Sequence, residues 1–598
     1  MKQKGTLYKL VYGFRKAFAL LPSKKDKMNV YVLLGGCLLN YVISMLQPTL
    51  QMWITDGAAS LTHDVPNYRL LILSAVIMIS TILLSYYMRK EMNAWSNNVS
   101  SIISDSITGE MMKKSARIKY AYFEDENTYN EINNISSNVP SKIANLLTWS
   151  TVPPILGGIL SLIFTFFTLC QVNVFVAILV AIGNVLSIFF YGKRVKNNYF
   201  LKKEQIPQTR WANTYENTLS DRSTQKEVKL FALYDFLYEK WHRYSYDMAK
   251  ANFSFSLKYT TLQFLSEFVA ITFKIIALAL TLVLIIQNKV SVGSFVLVYG
   301  TISVFNSYMS DISRAFINLG ENGRYIDDWI KYMNLEEENT LLVNKVSKNS
   351  TIEFKNVSFN YPGSEKKVLD NLNVTINKGE HIAIVGENGS GKSTFVSLIM
   401  GMYDSYTGEI LVGEQSPRLA AKNIRKKISC LFQDYNSYEI SIEENVKIGD
   451  IHSAVSEEQI FEALFSAEAF DFVSKNSAGI HEYIGRFNKG ISDLSGGQWQ
   501  KIAIARALVK KDANIIILDE PTAALDPKSE SKIYREFLKK YKNRTAILIS
   551  HRLGATTKAD RILVFSEGRI VETGTHSQLM ELNGKYREMY EAQSKWYR

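Results

Sequence analysis

Nine consecutive residues, Gly386-Glu387-Asn388-Gly389-Ser390-Gly391-Lys392-Ser393-Thr394, follow the apolar run His381–Val385 and precede a helix-like stretch from Phe395 to Met400. Strand, glycine loop and helix in that order make a phosphate-binding loop. The glycines let the backbone curl until several N–H groups point at one anion. The helix start adds its partial positive charge. Lys392 can reach the β- and γ-phosphates, and the Ser393 hydroxyl can ligate Mg²⁺. A glycine-rich surface turn needs neither the strand nor the helix, so the full pattern points to a nucleoside triphosphate.

Further residues stand where hydrolysis of that triphosphate would need them. Ile515 to Leu518 read as a buried strand ending in Asp519 and Glu520. The first acid can orient Mg²⁺ and the second can take a proton from an attacking water. Gln433 follows the strand-like run Ile428–Phe432, and His551 follows Ala546–Ser550. Tyr361, ahead of Pro362 and Gly363, offers a ring that could stack on a base. Leu494-Ser495-Gly496-Gly497-Gln498 opens another helix, from Trp499 to Val509, and so builds a second anion site. One loop already cradles one phosphate chain, so this second cradle must serve another molecule or another copy.

The elements that carry these residues occupy only part of the 598-residue chain. From about residue 350 onward, short Val/Ile runs alternate with helical patterns, as in an α/β domain. Before about residue 310, long apolar runs alternate with basic segments. Six of these runs, near 29–54, 68–88, 148–171, 174–192, 263–286 and 294–314, meet the roughly 20 residues that a bilayer crossing takes. The connection 89–147 carries Arg89, Lys90, Lys113, Lys114, Arg117, Lys119 and Lys142, and 193–262 carries more than ten Lys and Arg. The opposite loops 55–67 and 172–173 carry none, and 287–293 has only Lys289. Positive charge stays inside, so both termini and both long loops are expected in the cytoplasm. The long loops keep helical patterning and read as cytoplasmic extensions of the spans. The net charge of +12 follows the membrane flanks and does not call for nucleic acid. Six basic-flanked spans exclude a soluble ATPase of translation or repair.

Smaller features complete the division. Leu7, Leu10, Phe14, Phe18 and Leu21 recur at helical spacing among basic residues, which suits a short helix on the membrane face within a 1–28 segment. The spans and their extensions fill 29–333, a linker covers 334–350, and the nucleotide-binding domain runs 351–598. Cys37, Cys170 and Cys430 have no disulfide or zinc spacing. Glu267 and Lys274 fall inside the fifth span, seven residues apart and on one helix face. A mid-bilayer lysine must face the bundle or a wet cavity. It either pairs inside the bundle or touches cargo on a translocation path.

Taken with these motifs, the chain resembles an ATP-binding cassette exporter of the half-transporter type. The resemblance covers essentially the whole chain. It implies the type I exporter fold: an all-α six-helix transmembrane domain followed by an α/β P-loop nucleotide-binding domain. It also implies ATP and Mg²⁺ as cofactors. By motif, Tyr361 is similar to the adenine-stacking aromatic, and Gly386–Thr394 to the Walker A element. Gln433 resembles the Q-loop residue that senses Mg²⁺, Asp519 and Glu520 the Walker B acid and catalytic glutamate, Ala524-Leu525-Asp526 the D-loop, and His551 the switch histidine. Gly574-Thr575-His576-Ser577-Gln578-Leu579 fits the exporter tail. Where such exporters carry Gly-Glu-x-Gly before the signature, this chain reads Gly485 to Gly490 with Arg486 and Lys489, which removes that element's acid.

In this family the signature motif of one subunit completes the ATP site of the other, so the second cradle implies a two-fold dimer. Since all motifs stand on one chain, the homodimer is the simplest assembly. Phe432-Gln433-Asp434-Tyr435, Gly497-Gln498-Trp499-Gln500-Lys501 and Lys226-Glu227-Val228-Lys229 are similar to bacterial exporters of modified peptides, including lantibiotics. A papain-like leader-peptidase domain ahead of the first span is not expected, so a leader on such a peptide is expected to be cleaved elsewhere. The expected activity is ATP-driven export of such a peptide across the plasma membrane by alternating access. A lipid or amphipathic drug is the alternative cargo, and an ATP-gated channel or regulatory subunit a third reading.

Overall fold

The computed structural model describes residues 12, 15–62, 68–147, 151–183, 201, 204–339, 350–485, 494–520, 541, 543–550 and 553–594. The chain divides into two units, residues 1–116 with 131–335, and residues 117–130 with 336–598.

The first unit is helical. Backbone groups in hydrocarbon find no water, so each crossing segment must satisfy its own N–H and C=O groups as a helix. Five helices among the described residues are long and apolar enough to cross a membrane: Lys24–Ala59, Tyr68–Ser115, Val152–Val172, Glu267–Ile286 and Val292–Phe316. The expected fourth span, 174–192, is described only through the apolar helix Val174–Gly183, and its remainder lies outside the described residues. Several helices continue well past the apolar stretch. Tyr68–Ser115 has 48 residues and Tyr234–Ile286 has 53. At 1.5 Å per residue these reach about 70–80 Å, against a hydrocarbon core of about 30 Å. Leu7, Leu10 and Phe14 of the N-terminal helix pattern fall outside the described residues.

Close helix approach in this unit depends on small residues. A Cβ on Gly157 would lie 2.3 Å from the Tyr41 ring, and one on Gly158 2.7 Å from Ile312. The first and sixth spans also share a cap. The helix Val292–Met333 begins at Ser291, whose side chain does not cap it. Asp56, at the end of the first span, takes that role: its carboxylate accepts from the Gly293 N–H at 2.7 Å and from the Ser291 hydroxyl at 2.8 Å. A Cβ on Gly293 would sit 2.5 Å from Asp56 Oδ1, so the contact requires glycine there.

Among the described residues, the second unit holds two sheets. Three antiparallel strands stand in the order β2 (Lys367–Ile376), β1 (Ile352–Asn360), β4 (Thr407–Val412). Six strands follow the order β5 (Ile428–Leu431), β6 (Ile515–Asp519), β7 (Thr545–Ile549), β3 (His381–Gly386), β8 (Arg561–Ser566), β9 (Arg569–Gly574). All pair in parallel except β8 with β9. A parallel sheet is covered on both faces, which is why β3, β6 and β7 are continuous apolar runs instead of alternating ones. Three apolar cores result among the described residues. One gathers the three-stranded sheet, Phe395 and Phe565; a second is formed with Trp499, Ile502 and Leu508 of the helix Gly496–Leu508; a third packs Leu579 and Tyr586 against β3 and β8.

Residues 117–130, which fall within the 29–333 division read from sequence, pack with the nucleotide unit. The physical cause is a set of polar and aromatic contacts. Lys119 Nζ reaches Glu336 Oε2 at 2.7 Å and Asp404 Oδ2 at 3.0 Å. Those bonds hold its ammonium pKa up at about 12. The Tyr120 ring meets Tyr403 edge-on at 5.8 Å. The expected linker 334–350 lies partly outside the described residues; Glu338 within it is held by a bidentate Arg425 at 2.8 and 3.1 Å.

The shared cap predicts that Asp56→Ala lowers the stability of the membrane unit by about 1–2 kcal/mol, the usual cost of losing a helix N-cap. Thermal unfolding in detergent checks this, with Asp56→Asn expected to lie between. An unchanged melting curve for the alanine variant would show that the contact contributes nothing.

Candidate functional site

The candidate site forms where β3 and β6 end. Gly386 closes β3 with φ 151°, and a Cβ there would lie 2.3 Å from the Phe565 carbonyl oxygen on β8. Gly391 has φ 102° at the N-cap of the helix Lys392–Ile399, and a Cβ there would lie 2.7 Å from Leu369. Only glycine fits at these two positions. Around Gly389 the space is open, with nothing within 4 Å of a built Cβ. The result is a loop pinned at both ends against the sheet and open above.

Lys392 is 6 % exposed, and its Nζ donates to the carbonyls of Gly386 at 2.9 Å and Glu387 at 2.8 Å. The lysine is thereby tied to its own loop. Burial pushes its pKa down, and the charges of Glu520 and Asp519 partly oppose that. Asp519, also 6 % exposed, ends β6. Burial pushes its carboxyl up to about 6, against a hydrogen bond from Ser393. Its Oδ1 is buried with no hydrogen-bond partner, and so is the Ser390 hydroxyl in the loop. Buried polar atoms without partners are rare. Two of them at one phosphate loop, with Ser393 between, fit a phosphate-bound divalent cation.

Glu520 follows Asp519 with φ 47°, and its N–H donates to the Ile549 carbonyl at 3.0 Å. A positive φ is uncommon for a residue with a side chain and here turns the chain sharply off the strand. Gln433 Nε2 donates to Glu520 Oε2 at 3.2 Å. The structure therefore brings together Lys392, Ser393, Asp519, Glu520 and Gln433.

Tyr361 joins the group from another side. Its hydroxyl shares a 2.8 Å hydrogen bond with Thr394 Oγ1, while its ring meets Phe359 and Tyr403 edge-on at 5.2 and 5.6 Å. Tyr403 was not expected at the site. No local motif marks it, because an aromatic after a helix looks the same in sequence whether or not a second ring meets it. The Tyr435 hydroxyl donates to the Gly496 carbonyl at 3.1 Å, a contact that no local motif marks.

The Ser495–Gln498 segment lies apart from this group. Ser495 and Gln498 form a reciprocal cap: Gln498 Oε1 accepts from Ser495 N–H at 2.9 Å, and Ser495 Oγ accepts from Gln498 N–H at 3.3 Å. Gln498 is thus spent on its own helix. Gly496 and Gly497 carry the remaining first-turn donors, and the space over Gly496 is open. Ser495 and Gly496 are exposed. This helix belongs to the second apolar core, whereas the phosphate loop borders the first.

Asn388 lies exposed in the loop. His551, Ala524–Asp526 and residues 486–490 lie outside the described residues. In the first unit Lys274 is half-buried and Glu267, exposed, is the acid whose charge acts on it.

The Asp519 environment generates a pH test. A carboxyl with a raised folded-state pKa makes its charged form costly. That cost is absent below the ordinary value of about 3.9 and complete above about 6. Without nucleotide or divalent cation, Asp519→Asn should therefore stabilise the nucleotide unit by about 2–3 kcal/mol at pH 8, shrinking to about 1 kcal/mol at pH 4.5. Chemical denaturation at the two pH values reads this; equal effects at both would show that Asp519 is not strained by its charge.

Comparisons with known proteins agree with this geometry. Residues 33–309 match the family described as ABC transporter transmembrane region, and residues 369–523 match ABC transporter. The chain is 29% identical over 492 residues to the subtilin transport ATP-binding protein of Bacillus subtilis, covering 81% of this chain and 79% of that one. It is 29% identical over 498 residues to the nisin transport ATP-binding protein of Lactococcus lactis, covering 82% of each. An ABC multidrug transporter of Trichophyton interdigitale is 41% identical over 246 residues, which is 41% of this chain and 18% of that protein. A solved bacterial Atm1-family ABC exporter with ATP bound superposes with a TM-score of 0.76 at 20% identity, covering 95% of this chain and 98% of that one. A helical membrane region, a P-loop α/β domain and both family matches on one polypeptide place this multi-pass membrane protein among the ATP-binding cassette transporters, as an exporter whose ATPase is coupled to transport.

Proposed function

We propose that the chain exports a modified bacterial peptide from the cytoplasm as a homodimer, with each ATP held between the two copies. The observation that carries the cargo class is the extent of similarity. The matches to the subtilin and nisin transport proteins run over 492 and 498 residues, too long to be confined to residues 351–598, so they include the membrane region that must meet cargo. The stronger identity to the multidrug transporter extends over only 246 residues. A lipid or amphipathic drug is the second reading. Loop charge supports both termini in the cytoplasm of a plasma-membrane protein.

The site chemistry follows from the geometry. Incoming phosphates offer Lys392 better acceptors than the loop carbonyls it now holds, so binding swings its ammonium onto them. Ser393, Asp519 and Gln433 would hold Mg²⁺, which would neutralise charge between the β- and γ-phosphates. Glu520 serves as general base for the attacking water, and its bond to Gln433 keeps the carboxylate aimed while the site fills. Tyr361 stands at the adenine end, and His551 belongs to the γ-phosphate end by motif. The first-turn N–H groups of Gly496 and Gly497, with Ser495, close on the γ-phosphate held by the other copy. ATP binding then joins the two nucleotide units, and hydrolysis releases them.

Glu520→Gln keeps shape and the Gln433 contact but removes the base. It should retain ATP binding and slow hydrolysis by roughly 10²–10⁴-fold. Nucleotide binding and steady-state ATPase in nanodiscs measure both, and near-normal turnover would rule out Glu520 as the base. The shared site is tested by Ser390→Cys with Ser495→Cys in a background lacking the three native cysteines. The new pair should crosslink between chains, and more with ATP; links confined to one chain would sink the dimer reading. For cargo, inverted vesicles should accumulate a precursor lantibiotic peptide in an ATP-dependent way. Accumulation of lipid or drug alone would favour the second reading.

A further inference from the structure

Within the membrane unit, a cavity of about 590 Å³ opens between the first, second, third and sixth spans. That volume is in the range of small-molecule sites, but the lining is unlike that of an apolar-ligand pocket. Three carboxamides face it, Asn40, Gln47 and Asn318, with the hydroxyls of Ser44, Ser307 and Tyr308. Arg89, Asp311 and Arg314 supply charge. Lys274 and Glu267 are not among the lining residues.

The charges are not balanced. Arg314 Nη2 lies 2.5 Å from Asp311 Oδ1, so those two neutralise each other. Arg89 forms no ion pair with a carboxylate among the described residues, and its charge acts on the Tyr308 phenol across the cavity wall. Asn40 is fixed by the Ser85 hydroxyl, which donates to its Oδ1 at 2.9 Å, and this leaves the amide's N–H₂ as its donor group. Tyr308 packs its ring at 5.4 Å from Tyr41 and its hydroxyl toward the Tyr41 carbonyl at 3.4 Å. The lining thus combines a packed tyrosine pair with several amides and one guanidinium that no carboxylate among the described residues neutralises.

We infer that this cavity binds a peptide segment through a carboxylate, with Arg89 as the anion partner and the carboxamides as partners for peptide N–H and C=O groups. The inference rests on the reading of the chain as a peptide exporter and names the chemistry its cargo presents. An acyl chain or an aromatic drug entering here would strip water from a guanidinium and three amides without replacing those hydrogen bonds. A peptide carboxylate replaces them, in the fork geometry that a guanidinium prefers. Arg89 directly follows the second apolar span and Arg314 lies near the end of the sixth, so on the proposed orientation the cavity faces the cytoplasmic leaflet, where cargo enters.

The test uses the full-length protein in phosphatidylcholine nanodiscs. The probes are a six-residue glycine–alanine peptide carrying an uncharged N-terminal fluorophore with a free C-terminal carboxylate, and the same peptide amidated. By fluorescence anisotropy, the acid should bind about tenfold more tightly than the amide, the usual scale for one charge-assisted hydrogen-bonded pair. Arg89→Gln should bring the two within about twofold, and Arg89→Lys should keep most of the preference. Equal binding of acid and amide by the wild-type protein overturns the carboxylate inference while leaving peptide export standing; this comparison needs no variant to fold. A preference that survives in Arg89→Gln overturns the assignment to Arg89. If neither peptide binds and phosphatidylglycerol raises the melting temperature only when Arg89 is present, the cavity holds a lipid phosphate, and the peptide reading falls with it. If neither peptide binds and the lipid has no effect, the cavity is not a cargo site, and peptide export is then decided by the vesicle assay alone.

Discussion

Two opposite charges buried at the ends of parallel strands constrain the nucleotide unit more than any other feature. Lys392 and Asp519 are each 6 % exposed, and neither has a fully satisfying partner of its own. The lysine donates to two loop carbonyls, and one carboxylate oxygen of the aspartate has no hydrogen bond. Burial works against the charged form of both. An arrangement of this kind gains stability from any anion that reaches the lysine or cation that reaches the aspartate. The rest of the unit keeps the loop from relaxing. The Phe565 carbonyl and Leu369 leave no room for a side chain at Gly386 or Gly391, and the strands beside the loop are buried apolar runs.

That constraint reaches beyond the phosphate loop through aromatic contacts. Thr394 holds Tyr361, whose ring meets Tyr403, which in turn meets Tyr120 of the 117–130 segment. The segment leaves the membrane helices in sequence but joins the nucleotide unit in packing. Lys119 anchors it between Glu336 and Asp404. Tyr361 therefore has a continuous, packed route to the 117–130 segment.

The membrane unit answers a different constraint. With no water to take up backbone groups, helices are the available solution, and their packing depends on small residues and a few polar contacts. Gly157 against Tyr41 and Asp56 capping the Val292–Met333 helix are the clearest cases. Polar side chains that the bilayer would reject converge on one cavity, where an interior space can hydrate them or a ligand can satisfy them.

Much of this was legible in the sequence, because the signals are local. The loop from Gly386 to Thr394 needs its glycines within a few residues of its lysine, and β3, β6 and β7 stand where continuous apolar runs placed them. Five spans appear as long apolar helices for the same reason, since hydropathy is a property of consecutive residues. Long-range partners were not legible. That 117–130 packs with the nucleotide unit depends on Glu336, Tyr403 and Asp404, hundreds of residues away. Sequence singled out Lys274, the one lysine in mid-span, yet the cavity is lined by Arg89, Asp311 and Arg314, which look like ordinary flanking charges until helix packing brings them together. Periodicity and motif spacing record what each segment can become. Only the tertiary structure decides which charges share a space, because that depends on how helices far apart in the chain turn their faces toward one another.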